Sequence, residues 1–259
     1  MEKREKHLQR SSWQLAAARF ARNKLAMAGV VLLGIMILAV LLAPLYMSYS
    51  DMIHEDVFNK LRSPCAEHPL GTDEFGRDLL ARILYGGRIS LFGGIATIAI
   101  AFVAGCIIGG AAGYFGGRTD TLLMRLIDML MAIPPVLLAM AILTALGNGL
   151  VNLIISLAIS QIPRLKIIAR HILPNGIGPI VVSATLTLGQ IILSISSMGF
   201  LGLGVASPTP EWGTIISENM LNIRYYPYLG IAPAACICLA VMAVNFIGDG
   251  LRDAFDPRN

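Results

Sequence analysis

The sequence predicts an all-α membrane protein with six transmembrane helices and with both termini in the cytoplasm. Three observations lead there. The chain is 56% hydrophobic and only 14% charged, with a mean hydropathy of +0.70, whereas a soluble domain typically carries about 25% charged residues. Several uncharged runs reach the roughly 20 residues that a helix needs to cross a bilayer. Seven of the 20 Lys and Arg residues fall within the first 24 positions.

The uncharged runs place the helices in chain order. They cover residues 25–50, 89–117, 129–163, 172–210 and 225–248. The third run is too long for one span, and it contains the turn signal Gly147-Asn148-Gly149. Dividing it there gives six helices. The first of them covers residues 25–47.

The distribution of charge sets the orientation. Residues 1–24 form a basic leader, which the positive-inside rule places in the cytoplasm, against the inner leaflet of the lipid bilayer. In the six-helix topology the inner segments hold 14 Lys and Arg residues and the outer segments hold 6. Beside a membrane span, this basic leader does not indicate a nucleic-acid partner. The apolar run that follows is longer than the core of a cleavable signal peptide, so it predicts an uncleaved anchor.

Residues 48–88 form an extracytoplasmic segment with a distinctive signature, GTDEFGRD. A helical repeat begins at Asp78, and we expect a short interfacial helix there, capped by Thr72 or Asp73. Arg77 and Asp78 predict either a salt-bridged turn or a contact for a partner protein. The candidate site residues of this signature are Gly71, Thr72, Asp73, Gly76, Arg77 and Asp78.

Residues 89–259 form a core of five helices. The second helix is rich in glycine, which favours close helix packing in lipid. Ile133-Pro134-Pro135 is expected to kink the third helix. The fourth helix begins near Leu150 and meets Pro163 after 14 uncharged residues. At 1.5 Å per residue this run spans only about 21 Å, which is short of the bilayer core.

The chain lacks the common catalytic motifs. It has no G-x-x-x-x-G-K-[ST] phosphate loop, no H-E-x-x-H and no G-x-S-x-G. We therefore expect no enzymatic activity, no catalytic residue, no cofactor site and no metal site in this chain. A metal entry site at His54 and His68, near Cys65, is the less favoured alternative.

Ionisable residues are scarce within the predicted spans, which argues against a proton-coupled transporter. The scarcity of charge fits a pathway lined by small neutral polar groups. Candidate lining residues are Asn152, Ser156, Gln190 and Ser194. Each of these side chains could instead make a hydrogen bond between helices.

Five sequence blocks resemble one family of membrane proteins over nearly the whole chain. They are HPLGTDEFGRDLLARILYGGRISL, GGRTDTLLMRLIDMLMAIPPVLLAMAI, RHILPN, FLGLGVASPTPEWGTII and NFIGDGLRDAFDPR. Their order and places resemble the inner-membrane permease subunits of ABC importers for dipeptides, oligopeptides or nickel. The resemblance implies the type I importer permease fold and a location in the cytoplasmic (inner) membrane.

The resemblance also implies partners. A second homologous permease would complete the pathway, two cytoplasmic ATPase subunits would bind ATP and Mg, and an extracytoplasmic binding protein would deliver the solute. The motifs do not distinguish peptide cargo from nickel.

One part of the family pattern is interrupted. Such permeases carry a cytoplasmic coupling segment between the fourth and fifth helices, with an E-A-A motif near its start and I-x-L-P at its end. This chain has no Glu-Ala-Ala, and about 30 residues of the family pattern are missing near residues 164–166. The remnant of the coupling segment comprises Arg164, Lys166, Arg170, His171, Leu173 and Pro174.

Two explanations of this interruption stay open. The natural gene product contains a coupling segment after Pro163 that is missing from this 259-residue sequence, or the deletion is real. A real deletion predicts a chain that inserts in the membrane but cannot couple ATP hydrolysis to transport. Such a chain would be a non-transporting membrane scaffold.

Overall fold

The computed structural model describes residues 12–172 and 178–255, with side-chain positions given except at 12–14, 51, 164–172 and 179. The described part is helical, and its β structure is a single isolated bridge between Thr72 and Asp78. The prediction of an all-α protein is confirmed.

The first two helices are divided at Asn23. Helix α1 covers Ser12–Arg22 and α2 covers Lys24–Tyr46. The Asn23 side-chain oxygen accepts hydrogen bonds from the backbone N–H groups of Leu25 and Ala26, both at 3.1 Å. This cap satisfies two donors that would otherwise lack a partner at the start of α2. Helix α2 matches the predicted first helix to within a residue.

The outer segment contains a short helix α3 at Tyr49–Ile53 and a 3₁₀ turn at Val57–Asn59. Next come α4 (Leu79–Gly87), a π-helical turn (Arg88–Phe92) and α5 (Gly93–Phe115). The last three form one continuous helical segment of 37 residues.

The cap predicted for α4 was wrong. The Asp78 carboxylate, and not Thr72 or Asp73, accepts from the backbone N–H of Ala81 at 2.8 Å. Thr72 and Asp73 are instead held inside the preceding turn, where their side chains have other partners.

Two prolines break the predicted third helix. Helix α6 covers Gly117–Met131 and α7 covers Pro135–Leu146, and their axes are bent by 93°. Proline lacks the N–H that would continue the ladder, and it disfavours helical geometry at the residue before it. Two consecutive prolines therefore separate the segment instead of kinking it.

The described residues of the second half, 150–172 and 178–255, hold four more helices. Helix α8 covers Leu150–Ile172 and continues through Pro163, where the sequence predicted an end. Helix α9 covers Gly178–Phe200, α10 covers Trp212–Glu218 and α11 covers Tyr228–Phe255.

By length and composition, four helical segments are apolar enough to cross a membrane, or five if the bent pair α6–α7 counts as one span. They are Lys24–Tyr46, Leu79–Phe115, Ile180–Phe200 and Tyr228–Phe255. The apolar part of α8, Leu150–Pro163, is shorter than a full span. The described helices thus support a multi-pass protein, while the count of six and the cytoplasmic termini stay predictions.

Helix packing forms two main apolar cores. Helices α2, α9 and α11 pack around a cluster that includes Trp212, Leu229 and Val244. Helices α5, α7, α8 and α9 enclose a second cluster that includes Leu143 and Ile191. The short helix α10 lies between α4, α9 and α11, so it connects the outer segment to the first core.

Helix α10 approaches α9 very closely because its first turn contains glycine. A Cβ atom added at Gly213 would collide with the backbone oxygen of Ser196. On the other side, the Trp212 indole N–H donates to the backbone oxygen of Ile83 at 2.9 Å. Both contacts fix the position of α10.

We predict that Gly213→Ala destabilises the protein, because the added methyl group must push two backbones apart. Overpacking of this kind costs about 1–3 kcal/mol. The thermal midpoint of the purified protein in detergent measures the effect. Gly110→Ala is the matched control, since a Cβ there meets nothing within 4 Å. Equal midpoints for the two variants would contradict the close approach of α10 to α9.

Candidate functional site

The outer signature folds into a tight turn that leads into α4. The backbone N–H of Leu79 donates to the oxygen of Gly71, and that of Asp73 donates to the oxygen of Arg77. Gly71 and Gly76 have φ angles of +77° and +79°, which favour glycine. A Cβ at Gly76 would also collide with the backbone oxygen of Asp56. The two glycines are therefore required by the turn.

Four charged side chains meet behind this turn, in what we call the outer ion cluster: Asp73, Arg77, Arg82 and Glu218. The Asp73 carboxylate accepts from Arg77 Nε at 2.7 Å and from Arg82 Nη1 at 2.6 Å. Glu218 Oε2 accepts from Arg77 Nη2 at 3.0 Å and lies 2.7 Å from Arg82 Nη2. The cluster thus pairs two acids with two bases.

Burial makes the outer ion cluster a strong structural constraint. The side chains of Asp73 and Arg82 are fully buried, Arg77 is 1% exposed and Glu218 is 15% exposed. Charges removed from water are costly unless each has a partner. The cluster meets this condition only while the outer turn, α4 and α10 stay together.

The predicted turn at Arg77 and Asp78 is salt-bridged, but these two residues have different partners. Arg77 pairs with Asp73 and Glu218, whereas Asp78 lies 2.8 Å from His68 Nδ1. A loop nearby is held by Asp56, whose pKa is lowered chiefly by a hydrogen bond from the backbone N–H of Phe58. These contacts order much of the outer segment without a disulfide among the described cysteines.

A second buried carboxylate lies where α10 begins. Glu211 is fully buried, and its Oε1 accepts from the hydroxyl groups of Ser90 and Ser196, both at 2.9 Å. Its Oε2 accepts from the backbone N–H of Thr214 at 3.0 Å, which caps α10. We call Glu211, Ser90, Ser196 and Thr214 the Glu211 node. It connects the π turn, α9 and α10.

One side of α9 remains open at its outer half, and we call it the α9 face. It combines polar and apolar residues at helical spacing: Gln190, Leu193, Ser194, Ser197, Phe200 and Leu201. Leu193 is 52% exposed and Leu201 is 54% exposed. A cavity of about 320 Å³ adjoins this face and is bounded by Gly213, Ile216 and Ile237 on the other side.

The structure separates the four predicted lining residues. Gln190 and Ser194 lie one turn apart on the α9 face. Asn152 donates to the backbone oxygens of Leu146 and Gly147, both at 3.0 Å, and so closes the turn between α7 and α8. Ser156 is fully buried and donates to the backbone oxygen of Leu153. Both hydrogen bonds are therefore local: that of Asn152 lies at the turn before α8, and that of Ser156 lies within α8.

The predicted coupling remnant is described only in part. Arg164, Lys166, Arg170 and His171 lie on the last turns of α8, as part of its backbone. Leu173 and Pro174 lie outside the described residues.

Sequence reasoning missed Arg82, Glu211 and Glu218. Arg82 was assigned to the outer loop, although it interrupts an apolar helical face, which is a signal of a buried charge. Glu211 stands directly before Trp212 and Gly213 between two apolar segments. The partner of each became evident only from the fold, since Glu218 lies 141 positions from Arg77.

The length and the apolar character of the described helices define a class of protein: a multi-pass helical membrane protein. Comparison with known sequences makes this specific. The profile described as "Binding-protein-dependent transport system inner membrane component" matches residues 101–165 and 158–259. That described as "N-terminal TM domain of oligopeptide transport permease C" matches residues 11–64.

Curated relatives agree with these profiles. The chain is 40% identical to the dipeptide transport system permease protein DppC of Alkalihalophilus pseudofirmus, over 96% of this chain and 90% of that protein. It is 35% identical to the oligopeptide transport system permease protein OppC of Bacillus subtilis, with the same coverage. It is 34% identical to the glutathione transport system permease protein GsiD of Pectobacterium atrosepticum. The chain belongs to the family of inner-membrane permeases of binding-protein-dependent ABC transport systems.

We predict that Glu218→Gln strongly destabilises the outer segment. The change leaves Arg77 and Arg82 buried with only the Asp73 carboxylate between them. Breaking a buried pair in this way costs about 3–5 kcal/mol. The thermal midpoint in detergent and the rate of proteolysis within residues 48–78 measure the loss.

The matched control for this prediction is Glu67→Gln. Glu67 pairs with Arg62 at 2.9 Å, but both side chains are largely exposed, so its loss costs at most about 1 kcal/mol. If both variants lost the same stability, the outer ion cluster would not be the constraint described above.

Proposed function

We propose that this chain is one of two permease subunits of an ABC importer and that the α9 face lines the transport pathway between them. The family assigns the chain to an importer as its membrane component. Separate ATPase subunits would supply the energy, and an extracytoplasmic binding protein would deliver the solute. The pathway would alternate between access from outside and access from inside.

The α9 face is the observation that carries this proposal. An apolar helix facing only lipid has no reason to expose amide and hydroxyl groups beside one another, yet Gln190 and Ser194 lie together on this face. The Ser194 hydroxyl donates to the backbone oxygen of Gln190 at 2.8 Å, so its oxygen can still accept from a passing solute. Further along the same face, a cavity beside Leu193, Ser197 and Phe200 gives such a solute room.

The Glu211 node supports the same assignment. It fixes α9 from behind at Ser196, two residues from Ser194, and it connects α9 to α10 and to the outer ion cluster. A rigid support on one side of the helix leaves the α9 face as the side that a second subunit and a solute can contact.

We propose the six-span topology with cytoplasmic termini as the arrangement in the membrane. The bent pair α6–α7 and the short helix α8 would provide the additional crossings. The basic residues before α2 favour an inner location for the N-terminus.

Peptides are the best supported cargo. The relatives named above transport dipeptides, oligopeptides or glutathione according to their names, whereas none of those names mentions nickel. A short peptide carries many amide groups, which the neutral polar residues of the α9 face can bind by hydrogen bonds.

The interruption of the coupling segment is supported by two features of the comparisons. The family profile matches in two pieces that meet at residues 158–165. The alignment to the dipeptide permease covers 276 positions, although it includes only 96% of this 259-residue chain. The second feature shows that this relative has additional residues, and the first places an interruption near residue 164, where helix α8 otherwise continues without a break.

We predict that Ser194→Trp abolishes peptide uptake without loss of the assembled complex. The bulky ring would project from the α9 face and obstruct the pathway that we propose along it. Uptake of a radiolabelled dipeptide into cells that express the complete transporter measures the effect. Ile107→Trp is the control, because Ile107 is 66% exposed on α5. Normal uptake by Ser194→Trp would exclude the α9 face from the pathway.

Intact mass and peptide mapping across residues 162–172 of the protein from its native cells distinguish the two explanations of the interruption. A mass about 3 kDa above 27.7 kDa corresponds to about 30 additional residues and is expected for a working importer. A mass of 27.7 kDa together with absent uptake would favour the membrane scaffold.

A further inference from the structure

An open groove runs between the end of α2, the π turn and the start of α8. It encloses about 450 Å³ and is lined by Leu41, Ile89, Phe92, Leu150, Ile154 and the side chain of Arg88. Helix α2 packs mainly on α11, whereas α8 packs mainly on α5 and α7, so the groove lies where two helix groups diverge. Its walls are apolar apart from one guanidinium group.

Proline chemistry explains how Arg88 is held. Pro44 lies inside α2 and has no N–H, so the backbone oxygen of Val40, four residues earlier, receives no helical hydrogen bond from it. Arg88 Nε points to this oxygen at 3.4 Å. The Arg88 guanidinium also lies over the Tyr85 ring, 4.9 Å from its centre. One edge of the side chain is thus anchored, and its two terminal nitrogens remain available.

Arg88 has no carboxylate partner among the residues whose side chains the structure describes. The other buried cations of the outer region, Arg77 and Arg82, each pair with two carboxylates. A half-buried positive charge beside apolar walls is costly unless an anion is nearby. The groove therefore favours an occupant that combines one negative group with an apolar body.

The position of the groove indicates that this occupant comes from the bilayer. Helix α2 is the least covered of the candidate spans, with 17% of its apolar window buried against 33–44% for the others. Leu41 lies about 8 Å from the end of α2 at 1.5 Å per residue, and Leu150 is the first residue of α8. Arg88 thus lies near the ends of both helices. In a bilayer that α2 spans, this long side chain would be within reach of the lipid phosphates.

We propose that this groove binds one phospholipid, whose phosphodiester is held by Arg88 and whose acyl chain lies against Leu41, Phe92, Leu150 and Ile154. A guanidinium group is well suited to bind phosphate through two parallel hydrogen bonds. The apolar walls of the groove then contact the acyl chain of the same lipid. No peptide or partner subunit is required for this binding.

The π turn is part of the site. Arg88, Ile89 and Phe92 all belong to it, and such turns occur frequently at functional sites because they displace side chains from the regular helical path. Here the wider turn aims Arg88 and Phe92 into one groove while Ser90, between them, faces the Glu211 node. Lipid binding would therefore constrain the conformation of the π turn, which also supplies Ser90 to the Glu211 node.

The test measures lipid retained by the complete transporter after purification in mild detergent and repeated washing. The complex is exposed to vesicles of phosphatidylglycerol or to vesicles of a diacyl glycolipid without phosphate, and bound lipid is counted by native mass spectrometry. We expect one phosphatidylglycerol per permease chain and no retained glycolipid. Arg88→Gln is expected to weaken retention about tenfold, as for loss of a charged hydrogen-bonded pair.

A second variant separates binding from folding. Leu150→Trp fills the groove and leaves Arg88 intact, and it is expected to expel the lipid. Val151→Trp is its control, since Val151 is 67% exposed and does not line the groove. Arg224→Gln, at an exposed arginine in the outer loop before α11, is the control for the loss of charge.

Three outcomes would overturn the proposal. Unchanged retention by both Arg88→Gln and Leu150→Trp would show that the lipid binds elsewhere. Equal retention of the glycolipid would show that the phosphate is not recognised. Displacement of the lipid by a soluble dipeptide at low concentration would assign the groove to cargo instead.

Discussion

The outer ion cluster is the constraint on which the outer half of this protein depends. Asp73, Arg77 and Arg82 come from one short stretch, but Glu218 comes from α10, more than 130 residues later. Two buried acids and two buried bases are tolerated only when all four meet. The cluster therefore fixes the relative positions of the GTDEFGRD turn, α4 and α10. Moving any one of them away from the others would leave a buried charge without a partner.

Close packing at α10 extends this arrangement to α9. Glycines at positions 199 and 213 allow Glu211 and α10 to approach α9 to distances that a side chain would forbid. The Glu211 carboxylate then accepts hydrogen bonds from a hydroxyl group of the π turn and from one of α9. These contacts hold the opposite side of α9, so that the α9 face is ordered but remains open.

Prolines decide where the helices depart from the simple pattern of apolar runs. Pro134 and Pro135 divide the predicted third span into two helices at 93°. Hydropathy alone predicts one helix there, whereas the backbone forms two. Pro44 lies inside α2 without ending it, and it frees the Val40 oxygen, to which Arg88 donates. Pro163 does not end α8, since its helix continues to Ile172. The same residue type therefore has three consequences, set by its neighbours.

The sequence by itself determined the class of this protein. Long apolar runs dictate membrane helices because each backbone polar group must be satisfied within its own segment, and the ordered motif blocks indicated the permease family, which the relatives confirm. It also identified Gln190 and Ser194 as polar residues on an apolar helix. Only the tertiary structure decided which charges are buried and paired, that Asp78 caps α4, and that Ser156 faces the interior. Helical periodicity fixes which side chains share a face, but the neighbour covering that face is chosen by contacts between distant segments. Arg82 and Glu218 therefore find each other only in the folded chain.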